Sequence, residues 1–348
     1  MHKQQPHVDI VIPNYNGVEF LNTCLRSIGR QTYSEFSIII VDNGSVDNSL
    51  EFIRKHYSLV HLISWPQNKG FSPAVNAGIS AGNSPFIFLL NNDTELEVDC
   101  LEQLVKAAML QEGYDFFAAK MISYRERHLL DGAGDGFLRG GAGYRQGTME
   151  KDDAFYNFPG RVFGACAGAA LYRRTLFETI GLFDEDFFAY LEDVDFNLRA
   201  NSRGKKCYYV PEAKVFHIGS ATTGSKINSF TVRLSTRNNL NVLVKNYPQA
   251  LFFRFAPALF VYQLFWLAFV VKKKQFSAYL RGVAEFVGNL PLMVKKRKEL
   301  LVGISLTIDE LAALLSSAER DVICSIMRRR QAQGKTNRFL SLYTRLFL

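Results

Sequence analysis

The residues best suited to chemistry in this 348-residue chain are acids and amides that stand at the ends of apolar runs. Asn91-Asn92-Asp93-Thr94 follows directly on Phe86–Leu90, so polar side-chain oxygens gather at the end of a buried segment. Hard cations such as Mg2+ and Mn2+ take oxygen ligands of this kind and share them with phosphate groups; a turn rich in Asn and Asp accounts for the same letters. Asp42 ends Ser37–Val41 and precedes Asn43-Gly44-Ser45, where its carboxylate can accept a hydrogen bond from a base or a ribose, or merely shape the turn. Further on, Glu192-Asp193-Val194-Asp195 crowds three carboxylates into four residues. They repel one another unless a cation or a reaction uses them. Phe187, Phe188, Tyr190 and Phe196 surround them, which favours a pocket over the solvated start of a helix, where acids also suit the macrodipole. His217 closes the apolar pair Val215-Phe216, a common setting for a core histidine, and Gly219–Gly224 beyond it is rich in Gly, Ser and Thr and can close over phosphates.

The elements that must carry these residues alternate. Val8–Pro13, Ser37–Val41, Val60–Ser64 and Phe86–Leu90 are short apolar runs of the kind found in buried parallel strands, and Glu19–Arg30, Ser49–His56 and Ser72–Gly82 between them have helical spacing. A strand–helix alternation of this kind predicts an α/β fold, a parallel sheet covered by helices, with ligands bound beyond the carboxyl ends of the strands, where Asp42 and Asp93 stand. The Gly-rich stretch Asp131–Gly147 cannot be a regular helix and is expected to lie on the acceptor side of the site and to order on binding, unless it is a plain surface loop. A second block carries a Gly/Ala segment at Gly164–Tyr172, a helix near Thr175–Ile180, the acidic loop Asp184–Asp195, a helix at Phe196–Ser202 and strands at Lys206–Val210 and Lys214–His217.

Beyond Tyr247-Pro248 the composition changes. Phe255–Val271 has no formal charge and ends in Lys272-Lys273-Lys274. Phe276, Tyr279, Leu280, Val283, Phe286, Val287 and Leu290 then repeat at amphipathic helical spacing, followed by the basic run Lys295–Lys298. Thr307 and Glu310 form a capping-box pattern that opens a last helical segment. Residues 1–240 hold 24 Lys and Arg against 27 Asp and Glu, while the remainder holds 17 against 6. A basic tail on a near-neutral body points to a polyanionic surface. Because the basic runs flank apolar stretches, an anionic membrane fits better than nucleic acid. The 17-residue run Phe255–Val271 makes a helix of about 25 Å, at the short limit for crossing a bilayer. The tail is therefore expected to lie on the cytoplasmic face as a monotopic anchor, the alternative being that Phe255–Leu290 packs on the body as a second core. The five cysteines show no metal-binding spacing, and Met1–His7 lacks the apolar core of a signal peptide, which together suggest reduced thiols in the cytosol.

Taken in order, VDIVIPNYNG (Val8–Gly17), Val41–Ser45, Asn68-Lys69-Gly70-Phe71, Asn91-Asn92-Asp93, GLFDEDFFAYLEDVD (Gly181–Asp195) and Phe216-His217 resemble a family-2 glycosyltransferase of the GT-A fold, with bacterial rhamnosyltransferases the nearest likeness over about residues 8–240. With the change of composition after Tyr247-Pro248, the resemblance suggests a catalytic domain over residues 1–247, and the charge and apolar pattern of the tail suggest a helical, basic, membrane-associating region over 248–348. The resemblance implies that Pro13, Tyr15 and Asp42 hold the base and ribose of a nucleotide diphosphate sugar, that Asn68 and Gly70 lie beside the nucleotide, and that Asn92 and Asp93 match the DxD-type motif whose last acid binds the metal. His217 would add a metal ligand, Asp193 would be the general base and Glu192 its neighbour on the acceptor side. The first acid of DxD is replaced by Asn91, whose amide oxygen can ligate only without charge. The implied cofactor is Mg2+ or Mn2+, and the implied acceptor is a glycan or lipid-linked glycan. One base and one metal suit a single displacement with inversion. A nucleotidyltransferase would need a basic loop near the N-terminus, which Asn14–Gly17 does not supply. A catalytically inactive, membrane-tethered binding protein is the remaining alternative, and the joint presence of Asp93, Asp193 and His217 speaks against it.

Overall fold

The computed structural model describes residues 5–219 and 227–348. In the first half, strands and helices alternate as β1 (Val8–Asn14), α1 (Val18–Ile28), β2 (Phe36–Asp42), α2 (Ser49–His56), β3 (His61–Ser64), α3 (Phe71–Ala81) and β4 (Phe86–Leu90). β1 lies between β2 and β4, β3 flanks β2, and all these pairings are parallel. The helices cover both faces. Leu21, Cys24, Leu25 and Ile28 of α1 bury against one face of the sheet, and Val75 and Ile79 of α3 bury against the other. Each strand alternates its side chains between these two cores, which is why the runs read as continuously apolar.

The second half departs from the simple parallel expectation. β5 (Thr94–Leu96), α4 (Cys100–Leu110) and β6 (Phe116–Ser123) are followed by β7 (Leu130–Ala133), β8 (Asp135–Leu138) and β9 (Ala142–Arg145). Then come β10 (Gly160–Val162), β11 (Ala169–Arg173), α5 (Arg174–Ile180), α6 (Glu192–Ser202) and β12 (Cys207–His217). β11 inserts antiparallel between β4 and β6, so the ten-stranded sheet is mixed. The stretches Lys206–Val210 and Lys214–His217 form one strand, β12, with a register irregularity between Val210 and Lys214, around Pro211. Proline cannot donate to the ladder and is tolerated at such irregularities.

The Gly-rich stretch is not a plain surface loop but three short strands. β7 pairs antiparallel with β6, and β8 with β9 forms a hairpin whose residues Asp135, Gly136 and Phe137 are buried. Glycine serves close approach here: a Cβ on Gly136 would sit 2.3 Å from Val322 Cγ2, and one on Gly143 would sit 2.5 Å from Val194 Cγ2.

The C-terminal region continues with α7 (Ser229–Asn246), α8 (Gln249–Lys272), α9 (Phe276–Leu301), α10 (Ile308–Ala332) and α11 (Arg338–Phe347). Thr307 and Glu310 make the expected reciprocal cap on α10. Leu311, Leu315 and Ala318 of α10 share a core with Phe137, Val194 and Leu198 and with Leu251 and Phe255 of α8. A buried ion pair between Arg139 and Glu319 pins the same contact. α9 crosses α7 through its small residues, since a Cβ on Gly282 would lie 2.5 Å from the Arg233 carbonyl. Its predicted apolar stripe is divided: Phe276, Leu280, Val287 and Leu290 are exposed, while Tyr279, Val283 and Phe286 are half-buried.

Candidate active site

A cavity of about 950 Å³ opens beyond the carboxyl ends of β1, β2 and β4. Strand β1 ends in Asn14 and strand β4 runs into Asn91-Asn92-Asp93, so the sheet itself delivers polar groups to the cavity floor. Pro13, Tyr15, Asn68 and Gly70 line it, as do Asn92, Asp93 and His217. Glu192 and Asp193 complete the set, so nine of the ten residues singled out from the sequence meet in one place.

Asp42 is the exception. It is fully buried behind the wall, and its carboxylate accepts from Asn14 Nδ2 at 2.8 Å, from the Ser45 hydroxyl at 2.6 Å and from the Ser45 amide at 3.1 Å. With both oxygens engaged, it braces the turn after β2 instead of facing a ribose. Its influence passes through Asn14, whose Oδ1 accepts from Asn92 Nδ2 at 2.7 Å. That bond sets the orientation of the Asn92 amide. The approach is close enough to require glycine at position 17, where a Cβ would stand 2.0 Å from Asn92 Nδ2.

At the far end of β12, His217 sits between two acids. Its Nδ1 is 2.7 Å from Asp131 Oδ2, and its Nε2 is 3.4 Å from Asp93 Oδ1. Burial opposes charge on the imidazole, but the hydrogen bonds of Asp131 and Asp93 prevail and raise its pKa. Burial likewise opposes charge on Asp93, yet the bond to His217 holds its carboxyl below the usual range. Asp131 therefore fixes the ring, and Nε2 and Asp93 Oδ1 converge as an imidazole nitrogen and a hard oxygen. A carboxylate bonded to the outer nitrogen of a ligating histidine is the ordinary support of a metal site. The donor set fits Mn2+ better than Mg2+, because imidazole suits transition metals.

The acidic cluster is sorted by its place on α6. Asp195 is fully buried in a structural network, accepting from Arg199 Nε at 2.9 Å, Lys245 Nζ at 2.8 Å and Asn246 Nδ2 at 2.8 Å. Glu192 and Asp193 turn to the cavity. Burial, and then the charge of Asp193, push the Glu192 carboxyl up to about 8, so it keeps its proton at neutral pH. Burial also raises Asp193, with Arg145 the main opposing influence. α6 starts at Glu192, four residues before the expected helix at Phe196, so the acids form its first turn; Glu192 and Asp195 are buried there and Asp193 is half-buried.

The Gly-rich stretch supplies residues that the sequence did not single out: Asp131 on β7, and Asp135 and Arg145 on the hairpin. Arg145 pairs with Asp131 and lies 3.1 Å from Cys166 Sγ. Asp135, Cys166 and Asp193 bring their ligand atoms within 4.8 Å of one another, and burial together with Asp193 pushes Asp135 up to about 7. Two acids four apart in a Gly-rich run, followed by an arginine, were the available signal. Within Gly219–Gly224 only Gly219 is described, and it lines the cavity; the rest lies outside the described residues.

This arrangement, a mixed sheet with a polar cleft at its carboxyl edge and an acid pair on a following helix, is that of a sugar-transferring enzyme of the GT-A type. A solved structure of the same fold, GalNAc-T7 with UDP, GalNAc and Mn2+, aligns with a TM-score of 0.57 at 16% identity over 70% of this chain and 48% of that one. Residues 9–181 match the profile of glycosyl transferase family 2. The uncharacterized glycosyltransferase YwdF of Bacillus subtilis is 30% identical over 253 residues, 69% of this chain and 87% of its own. The N-acetylglucosaminyl-diphospho-decaprenol L-rhamnosyltransferase of Mycobacterium tuberculosis is 26% identical over 244 residues, 62% of this chain and 77% of its own. The chain belongs to glycosyl transferase family 2 and resembles its rhamnosyltransferases.

Proposed function

We propose that the protein transfers a deoxyhexose of the rhamnose type from its dTDP-sugar to a glycan carried on a lipid diphosphate, with inversion at the anomeric carbon. The observation that carries this reading is the meeting, in one cavity, of the Asp93–His217 pair with the Glu192–Asp193 pair. The rhamnosyl donor and lipid-linked acceptor are supported by the mycobacterial relative.

In this reading Asp193 accepts the proton of the acceptor hydroxyl. The hydroxyl oxygen attacks the anomeric carbon from the face opposite the diphosphate, and the bond to the diphosphate oxygen breaks as the new bond forms. General-base assistance of this kind contributes on the order of 10²–10⁴ in rate. Glu192 stays protonated beside it and so adds no second negative charge. Asp93 and His217 would hold a divalent cation, which when bound offsets the charge developing on the departing diphosphate. Asn92, Asn68 and Gly70 orient the nucleotide side.

A place at the cytoplasmic face of a membrane is part of the same proposal. Among the described residues, α8 alone is long and apolar enough to cross a bilayer, and its 24 residues span about 36 Å at 1.5 Å per residue, more than Phe255–Val271 alone predicts. One side is committed to the protein: Leu251, Phe255 and Ala258 are buried, and the Trp266 indole donates to Thr236 at 2.9 Å. Phe253, Phe260, Leu264 and Phe265 are exposed, as are Phe276, Leu280, Val287 and Leu290 of α9 and Lys272–Lys274. That combination supports a helix pair lying in an anionic interface. Lys296 is not available to lipid in the same way, because it pairs with Asp184 and Asp186.

The experiment is a donor screen with Mn2+ and an N-acetylglucosaminyl-diphosphate-lipid acceptor, scored by nucleoside diphosphate release. Release from dTDP-rhamnose above that from UDP-hexoses is expected. No acceptor-dependent release from any donor would overturn the reading.

A further inference from the structure

The turn that delivers Asp193 to the cavity is built in backbone conformations that side-chain-bearing residues avoid. Phe188 has φ 62° and ψ −64°, Tyr190 has φ 67°, and Leu191 has φ 65° and ψ 7°. Such conformations persist only where the surroundings over-determine them. Here the determining side chain comes from α7. Asn238 is fully buried, and its Nδ2 stands 2.9 Å from the Phe187 carbonyl, 2.9 Å from that of Ala189 and 2.7 Å from that of Tyr190. Its Oδ1 accepts from Arg237 Nε at 2.8 Å, which fixes which way the amide faces. Arg237 Nη2 also reaches the Phe187 carbonyl, at 2.7 Å.

The same turn touches the donor side of the cavity. The Phe188 carbonyl accepts from the Phe71 amide at 2.5 Å, and Gly70 abuts it so closely that a Cβ there would lie 2.6 Å from that oxygen. One turn therefore joins the Asn68–Gly70 loop to the helix that bears Glu192 and Asp193. A buried amide used only for filling space would be replaceable by leucine at lower desolvation cost. An amide aimed at three carbonyls of one strained turn is a clamp.

We propose that Asn238 is a positioning residue of the transfer reaction, holding the 187–191 turn so that Asp193 stands in register with the donor-side wall. The inference rests on the reading of Asp193 as the base, and it concerns a residue outside the segment that matches the family profile.

The test compares Asn238→Ala, Asp193→Asn and the double variant in the full chain. It measures kcat at saturating acceptor and, separately, nucleoside diphosphate affinity by calorimetry. Misplacing a catalytic group by about 1 Å costs on the order of 100-fold, so Asn238→Ala is expected to lose roughly 10- to 100-fold in kcat. Nucleotide affinity should stay within about twofold, and the double variant should be no slower than Asp193→Asn alone, as for residues acting as a unit. Normal turnover of Asn238→Ala beside a crippled Asp193→Asn overturns the clamp alone, as does full additivity in the double variant. Near-normal turnover of Asp193→Asn overturns the base assignment and the clamp with it. If Asn238→Ala does not fold, Arg237→Met removes the anchor of the amide and one carbonyl bond; a kcat loss at constant nucleotide affinity supports the clamp, and unchanged kcat refutes it.

Discussion

Replacing Asp131 with asparagine probes the proposed metal side of the cavity without touching either proposed ligand, Asp93 or His217. Asp131 Oδ2 lies 2.7 Å from His217 Nδ1, and the same carboxylate pairs with the guanidinium of Arg145. With His217 neutral and ligating through Nε2, its Nδ1–H donates to Asp131, which fixes the ring and raises its basicity. Asparagine keeps an acceptor oxygen but loses the charge that serves both partners. Removing such outer support costs about 10- to 100-fold in metal affinity, or about 1.4–2.7 kcal/mol at 1.36 kcal/mol per decade. Both contacts of Asp131 are charge-assisted, which favours the upper half of that range. The assay is a Mn2+ titration followed by the electron paramagnetic resonance signal of the free ion, which needs no turnover. A Mn2+ dissociation constant within about twofold of wild type would refute both the site and the role of Asp131 in it.

Glu192 ordinarily titrates near 4.5 and in the fold near 8, so the folded protein keeps a proton that the unfolded chain has lost across that interval. The contribution of Glu192 to stability is then fullest below about pH 4.5 and declines as pH rises toward about 8. Glu192→Gln should flatten that decline in denaturant melts taken between those limits, and an unchanged slope contradicts the assignment. The same substitution should remove a loss of transfer rate on the alkaline side, read from kcat against pH. Gly70→Ala places a Cβ 2.6 Å from the Phe188 carbonyl at φ 104°, and should cost about 1–3 kcal/mol in chemical denaturation; unchanged stability would show that the turn yields freely. Anionic vesicles should float the full-length protein, and Lys272–Lys274 changed to glutamine should weaken flotation by about 1 kcal/mol per charge. Equal recovery on neutral and anionic vesicles would remove the membrane proposal.

How far the sequence carried this picture depends on how local the determinants are. The strands of the first half are apolar runs bounded by turns, so β1 to β4 and their helices were legible nearly to the residue. The acids at the strand ends followed from that register. The hairpin of Asp135–Arg145 was not legible, because its glycines give no alternation of polar and apolar side chains. What makes them strands is contact with Val194 and Val322, which lie far along the chain. Asp131 and Arg145 were missed for the same reason. The antiparallel entry of β11 is a topological choice that leaves no local mark. Asp42 at its strand end suited either a ribose or a turn, and whether an acid faces a cavity or braces a turn depends on Asn14 and Ser45, which fold in from either side. The apolar stripe of α9 was legible as a stripe, but which of its residues stay exposed was not, because that depends on where α7 crosses, at Gly282.

The account stands most directly on Asp193. Its test is kcat for sugar transfer by Asp193→Asn, with nucleoside diphosphate affinity measured alongside. A fall on the order of 10²–10⁴ with affinity retained is the predicted result; transfer at a near wild-type rate would contradict the account.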